Sequence, residues 1–391
     1  MIKIPEEREL YACLQCGYCK SVCPVYSETN WESDSPRGKL YALKQLANRG
    51  PMDVILRRDP KPGDDYKVRL YHCTSCGACD EVCHVNIKLA HLWEELKEWM
   101  LDQGYEPLEA HKTIRERVEQ VKNPYGEPME KRDSWLTDKA VLSPDSDVIF
   151  FAGCTASYRV GFLGQAVAKI LKAADVKFNI LGADEWCCGS PLLRTGQAEP
   201  VRKDLAPHNS NAIETRGIKT VITACAGCYN TIKNDYPKIV GNPTYRLFHL
   251  TEFLDSLIKE QRLKLKKEFK TIPPYLDGKV TYHDPCHLGR HARVFDAPRN
   301  VIKAIPGISF IELPYNREFA HCCGAGGGYK SAFNYSAESI AAKRVQEAEE
   351  IGVNFIITSC PFCQVNLNAG AKKIGSKIKT VDIVQVLEQF I

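Results

Sequence analysis

"EWCCGSP" at residues 185–191 and "AHCCGAG" at residues 320–326 put adjacent cysteines, Cys187–Cys188 and Cys322–Cys323, at two distant places in one 391-residue chain. Working outward, each pair is the centre of a five-cysteine series. Cys154, Cys187, Cys188, Cys225 and Cys228 form the first, and Cys286, Cys322, Cys323, Cys360 and Cys363 the second. Cys154 and Cys286 are 132 residues apart, while Cys187 and Cys322, like Cys225 and Cys360, are 135 apart. The flanks repeat too: "DVIFFAGC" answers "KVTYHDPC", and "VITACAGC" answers "FIITSCPFC". A duplicated supersecondary unit explains both the spacing and the flanks.

Each copy opens with a β-branched and aromatic run ending in a cysteine. A helical pattern follows, "FLGQAVAKILKAA" in one copy and "APRNVIKAI" in the other. A second apolar run, "KFNILG" or "ISFIEL", leads to the cysteine pair, and after more helix "TVITAC" or "FIITSC" again ends in cysteine. Strands alternating with helices predict a mostly parallel sheet covered by helices, and such sheets gather ligands beyond the carboxyl ends of their strands. Five thiols should therefore converge in each copy. A tetrahedral zinc or an ordinary cubane takes four, so the same fifth thiol in both copies argues for a site that uses all five; zinc plus an inert buried cysteine is the alternative. A vicinal disulfide is disfavoured by its strained geometry. Gly189 and Gly324 follow the pairs and free the turn so that both thiols can face inward.

The other eight of the eighteen cysteines lie in "CLQCGYCKSVCP" and "CTSCGACDEVCH". Both have the C-x2-C-x2-C-x3-C spacing of bacterial [4Fe–4S] ferredoxins, in which the fourth cysteine serves the other cluster. That rule assigns Cys13, Cys16, Cys19 and Cys83 to one cubane, and Cys73, Cys76, Cys79 and Cys23 to the other. Two zinc ribbons are the competing reading, but they favour paired C-x2-C knuckles. Gly17 and Gly77 allow close backbone approach, and His84 stands where the first run has Pro24. Two adjacent cubanes make a wire for single electrons.

Composition narrows the rest. Basic and acidic residues number 52 and 48, a net charge of +4, with no basic run interleaved with aromatics, so no nucleic-acid partner is expected. The start "MIKIPEEREL" has no secretory h-region, and no window reaches the length of a spanning helix. A cytoplasmic location is expected, with membrane contact only through a partner. "GAGGGYK" after Cys323 fails both the G-x-G-x-x-G and the Walker patterns, so no flavin or nicotinamide site of the chain's own is expected. Its amides are expected to reach cluster sulfides or an anionic substrate. Electrons would then arrive from another subunit.

With both five-cysteine sets and both ferredoxin runs in view, the chain resembles the HdrD-type catalytic subunit of heterodisulfide reductase, equivalent to a fusion of the HdrC and HdrB subunits. The resemblance spans nearly the whole chain. It implies a fold of class α plus α/β: an N-terminal helical two-[4Fe–4S] ferredoxin-like domain (1–120), a linker (121–144), a first CCG domain (145–257), a charged linker (258–275) and a second CCG domain (276–391). It further implies that each five-cysteine set binds a noncubane [4Fe–4S] cluster, making two cubane and two noncubane clusters. A disulfide of the CoM-S-S-CoB type would be held between the noncubane clusters and reduced to two thiols, or formed in reverse. The implied partners are a flavoprotein, a cytochrome b or another electron-donor subunit. The same architecture resembles iron–sulfur subunits of flavin-dependent glycolate, lactate and glycerol-3-phosphate dehydrogenases, which feed a quinone or other acceptor. Both CCG sets are complete here, which tilts the expectation toward disulfide chemistry.

Several residues beside the motifs are candidates for supporting roles. His283, His287 and His291 surround Cys286, and His321 directly precedes the second pair, the best position for a proton donor. Each can equally be a packed or exposed histidine. Arg194, Arg290 and Lys330 can bind an anionic group on the substrate or make ordinary salt bridges. Ser35 and Pro36 predict a helix start in "SPRGKLYALKQL". The lysine-rich 258–270 run reads as a solvated helix and linker.

Overall fold

Ser35 caps the helix Pro36–Ala47, its hydroxyl accepting from the Gly38 amide at 3.0 Å, as the sequence predicts. The computed structural model in which this is seen describes residues 7–48, 62–267, 274 and 278–391. Pro36–Ala47 and Leu89–Asp102 enclose a small core of Leu40, Leu43, Leu92, Trp93 and Leu96. The two ferredoxin runs sit on this core. In both loops the residue before the second cysteine and the glycine after it are left-handed: Gln15 and Gly17 at φ 57° and 88°, Ser75 and Gly77 at φ 48° and 72°. The short helices Tyr18–Ser21 and Ala78–Glu81 pack together, which crosses the two runs.

The amphipathic helix Glu109–Val121 buries Val118 in the first repeat, alongside Cys154 and Cys187. The segment that follows is no loose tether. Arg132, Trp135 and Leu136 are buried, and Trp135 fills the space over Gly164, where a Cβ would lie 2.5 Å from its ring.

The first repeat carries a parallel sheet in the order β1 (Val148–Phe151), β2 (Thr220–Thr223), β3 (Arg246–His249). The second repeat has β4 (Lys279–Tyr282), β5 (Ser309–Phe310), β6 (Phe355–Thr358) and β7 (Lys379–Asp382), arranged β5-β4-β6-β7 and also all parallel. An isolated bridge from Ile149 to Asn179 occupies the place of β5 in the first copy, so the two sheets share one order. The apolar runs "KFNILG" and "ISFIEL" thus shrink to a bridge and two residues, because they lie at sheet edges and bend toward the cysteine pairs. The closing strands β3 and β7 have no motif in the sequence.

The helices Gly161–Ala173 and Ile383–Leu387 pack together, as do Leu250–Lys259 and Asp296–Ala304. These contacts join the repeats through one core that includes Phe150, Leu163, Ile170, Tyr282, Val301 and Leu387. The lysine-rich run is helical only to Lys259. Leu263 then anchors in that core, and residues 268–270 lie outside the described part of the chain.

Candidate active site

Cysteines end the strands and begin the following helices in both repeats. Cys225 and Cys360 are N-cap residues of the helices after β2 and β6, and Cys228 and Cys363 stand in the first turns. At the pairs, Gly189 and Gly324 are left-handed at φ 87° and 83°, and the amide of each donates to the first sulfur of its pair: Gly189 N to Cys187 Sγ at 3.4 Å, Gly324 N to Cys322 Sγ at 3.3 Å. The duplicated sequence thus makes a duplicated turn.

In the first repeat Cys154, Cys187, Cys188 and Cys228 are buried in one cluster, with Cys225 packed against it. In the second, Cys323, Cys360 and Cys363 share a buried cluster, with Cys323 Sγ and Cys363 Sγ 3.3 Å apart, and Cys286 packs with Cys322. The two sets meet where Cys225 packs against the cluster that holds Cys360. No disulfide forms among the eighteen cysteines.

The ferredoxin cysteines gather in two further groups. Cys13, Cys16, Cys19 and Cys83 line one small cavity, and Cys23, Cys73, Cys76 and Cys79 another. The second group touches the repeats directly, since Cys76 is buried in one cluster with Cys286 and Cys322. Burial and neighbouring sulfurs push the Cys19 thiol up to about 12, and burial does the same for Cys23. Four or five convergent sulfurs in each group are the donor set of an iron–sulfur cluster, and for Cys19 and Cys23 a cationic iron core would supply the counter-charge that burial withholds from their thiolates.

Nine of the ten repeat cysteines line a single cavity of about 440 Å³; Cys322 lies behind it, toward Cys76. Tyr125, whose hydroxyl is 2.9 Å from Thr155 Oγ1, forms part of the wall with Arg117, His287 and Lys330. Burial and the nearby Arg194 guanidinium push His287 down to about 4, so its imidazole is neutral at neutral pH.

The remaining candidates have other tasks. His321 stacks on Tyr315 and hydrogen-bonds Glu347, away from the cavity, so the position next to the cysteine pair does not bring it to the reacting space. His291 hydrogen-bonds Ser75 O at 2.9 Å and ties the second repeat to the cubane loop. Arg194 reaches the cavity wall, but its guanidinium is taken up between Glu94 and Asp235. Arg290 donates to Cys76 O, Glu318 O and Ala320 O. Both arginines hold parts of the chain together. Lys330 remains at the cavity, anchored on its helix side by Asn334 and Glu338.

The glycine run is a close-approach surface. A Cβ on Gly326 would lie 2.5 Å from Thr74 O, and one on Gly327 2.5 Å from Cys73 O. Sequence reasoning missed the buried Arg132, which donates to Cys154 Sγ at 3.1 Å and pairs with Glu185. Glu185 also accepts from the Ala152 and Gly153 amides at 2.9 and 2.7 Å. It is the first residue of "EWCCG", and its position beside the pair was the available signal; Arg132 lies in a stretch with none.

Comparisons with known proteins agree with this arrangement. Residues 9–87 match the family described as "4Fe-4S dicluster domain", and residues 148–233 and 280–368 each match the family described as "Cysteine-rich domain". The chain is 35% identical to the HdrD component of the dihydromethanophenazine:CoB–CoM heterodisulfide reductase of Methanosarcina barkeri, over 97% of this chain and 94% of that one. It is 32% identical to a component of the fumarate reductase (CoM/CoB) of Methanothermobacter marburgensis, over 98% of this chain and 73% of that one. With the EtfAB:quinone oxidoreductase of Syntrophomonas wolfei it shares 30% identity, over 97% of this chain and 58% of that one. Among the described residues no helix is long and apolar enough to cross a membrane. From its dicluster part through both cysteine-rich repeats, the chain belongs to the HdrD family of heterodisulfide-reductase iron–sulfur oxidoreductases.

Proposed function

We propose that this chain reduces a small disulfide, of the CoM-S-S-CoB type, to two thiols, or runs the reverse, as the disulfide-handling part of a larger complex. The observation that carries the reading is the shared cavity: nine of the ten repeat cysteines line one space of about 440 Å³, so groups held by the two five-cysteine sets would face each other across it. In this reading Cys13, Cys16, Cys19 and Cys83 hold one cubane, and Cys23, Cys73, Cys76 and Cys79 the other. Each five-cysteine set holds one noncubane cluster. When bound, the clusters supply single-electron steps, two electrons being needed with two protons for each disulfide cleaved. Lys330 and Arg117 bind the anionic ends of the substrate at the cavity wall. His287, at the cavity wall, is placed to relay protons between the reacting sulfurs and solvent. Exposed Cys16, flanked by exposed Leu14 and Tyr18, marks the face where a flavoprotein, a cytochrome b or another donor hands over electrons.

A second reading is supported by the likeness to the EtfAB:quinone oxidoreductase: an electron-transfer part serving a flavin-dependent dehydrogenase and a quinone. Anaerobically prepared protein should contain about sixteen irons, four for each of four clusters. Oxidised protein exposed to one thiol of the substrate pair should develop a new paramagnetic state, and reduced viologen should drive disulfide cleavage. Silence toward every thiol and disulfide, with fast electron uptake from a flavoprotein, would reverse the preference. Near-zero iron with stoichiometric zinc would sink both readings.

A further inference from the structure

The two five-cysteine sites are not chemically equal, and one difference lies three residues before the first cysteine of each. In the first repeat that position is Phe151; in the second it is His283. Both sit at the carboxyl end of the corresponding strand, β1 or β4, and both are fully buried. A ring nitrogen of His283 and the sulfurs of Cys323 and Cys363 lie within 4.8 Å of one another.

The ring's environment selects its tautomer. Arg344 Nε lies 3.4 Å from His283 Nδ1, and a guanidinium can only donate. Nδ1 is therefore the acceptor, and the proton of the neutral ring resides on Nε2. Nε2 is buried and has no hydrogen-bond partner among the described residues. A buried N–H left without a partner costs about 1–3 kcal/mol, so a partner is to be expected when the site is filled. With Nδ1 engaged, Nε2 is the nitrogen left to meet the sulfurs. Because it carries a proton, it serves as a donor and not as an iron ligand.

We propose that His283 Nε2–H is a built-in hydrogen-bond donor to the sulfur of the cluster held by the second five-cysteine set; the first set has Phe151 in that place and takes its side-chain donor elsewhere, from Arg132 to Cys154 Sγ. Hydrogen bonds to cluster sulfur stabilise the more negatively charged, reduced form and raise the potential. His283 is thus a positioning and tuning residue for the second site, the one whose Cys322 touches Cys76 of the ferredoxin part. Arg344 acts one step further out by fixing the tautomer, and is itself held by Glu347 and by Tyr315 O.

This inference rests on the reading of the second set as a cluster site, and iron content separates the two. A chain with far fewer than about sixteen irons would overturn that reading. A fully loaded chain tests the donor itself. In protein labelled with 15N-histidine, pulsed EPR on the thiol-treated, oxidised holoprotein should show a weak histidine nitrogen coupling on one noncubane signal. H283F should abolish that coupling and move one cluster to lower potential in a redox titration, leaving the two cubanes unshifted. H283Q, which carries an amide N–H near the same place, should recover part of the potential without the histidine coupling. A fully loaded wild type with no histidine coupling would overturn the proposal, as would an H283F variant with unchanged potentials. A large coupling, of the size given by directly bound nitrogen, would also overturn it, because it would make His283 a ligand. H287F, which removes the histidine at the cavity wall, should leave the coupling in place, and its loss there would also overturn the proposal.

Discussion

Cys187 and Cys323 occupy opposite sets yet line the same cavity, and each belongs to a five-thiol series. Cys187→Ala or Cys323→Ala should abolish disulfide turnover while the two cubanes still reduce, as followed by their EPR signals under dithionite. Retained turnover would count against a pair of sites acting on one substrate. Arg132 and Glu185 are each only 2% exposed and support Cys154 from behind. Arg132→Met should cost about 3–5 kcal/mol in chemical denaturation, since it strands a buried carboxylate. The double variant with Glu185→Gln should recover part of that loss. The grouping of the cysteines was readable from spacing alone, because motif spacing is a local property of the chain. Arg132 was not: a residue that reaches its partner across 53 positions leaves no periodic trace.

At the scale of elements, the docking of helix Leu89–Asp102 onto the first repeat is set by a close backbone approach. Gly196, at φ 78°, faces it so tightly that a Cβ would lie 2.6 Å from Glu98 N. Lys97 Nζ donates to Arg194 O at 2.9 Å, and Arg194 ion-pairs with Glu94. Gly196→Ala should therefore prise the helix away, with the added cost of a left-handed alanine, about 1–3 kcal/mol. The expected outcome is an intact iron content with slower electron passage into the repeats, measured by stopped-flow absorbance. The helices Pro36–Ala47 and Gly161–Ala173 were legible from a cap and from amphipathic spacing. The edge strands were not, because a two-residue strand or a single bridge has too few residues to show a period of two.

Across the whole molecule, thiol contacts run without a break from the second ferredoxin group to both repeats. The Cys23, Cys73, Cys76 and Cys79 group meets the second repeat at Cys322, and the second repeat meets the first at Cys360 and Cys225. Electrons from the ferredoxin part should thus enter the second site before the first. Arg290 clasps this junction by donating to Cys76 O at 2.7 Å and to Ala320 O. Arg290→Met should leave cubane reduction at its normal rate and delay reduction of the repeats, separable as two phases in rapid-mixing spectra. A single unchanged phase would mean that electrons enter elsewhere.

By itself the sequence determined the duplicated parallel-sheet unit, the two ferredoxin runs and the partition of all eighteen cysteines, because strand ends and ligand spacings are written within short segments. Tertiary structure alone decided which groups face the cavity. It turned His321 toward Glu347 and brought His287 in, committed Arg194 and Arg290 to holding the parts together, and made the glycine run a contact surface for Thr74 and Cys73. The physical reason is that side-chain direction depends on how helices and sheets dock. Docking is set by burial and close backbone approach between segments far apart in the chain, and neither is encoded in local spacing.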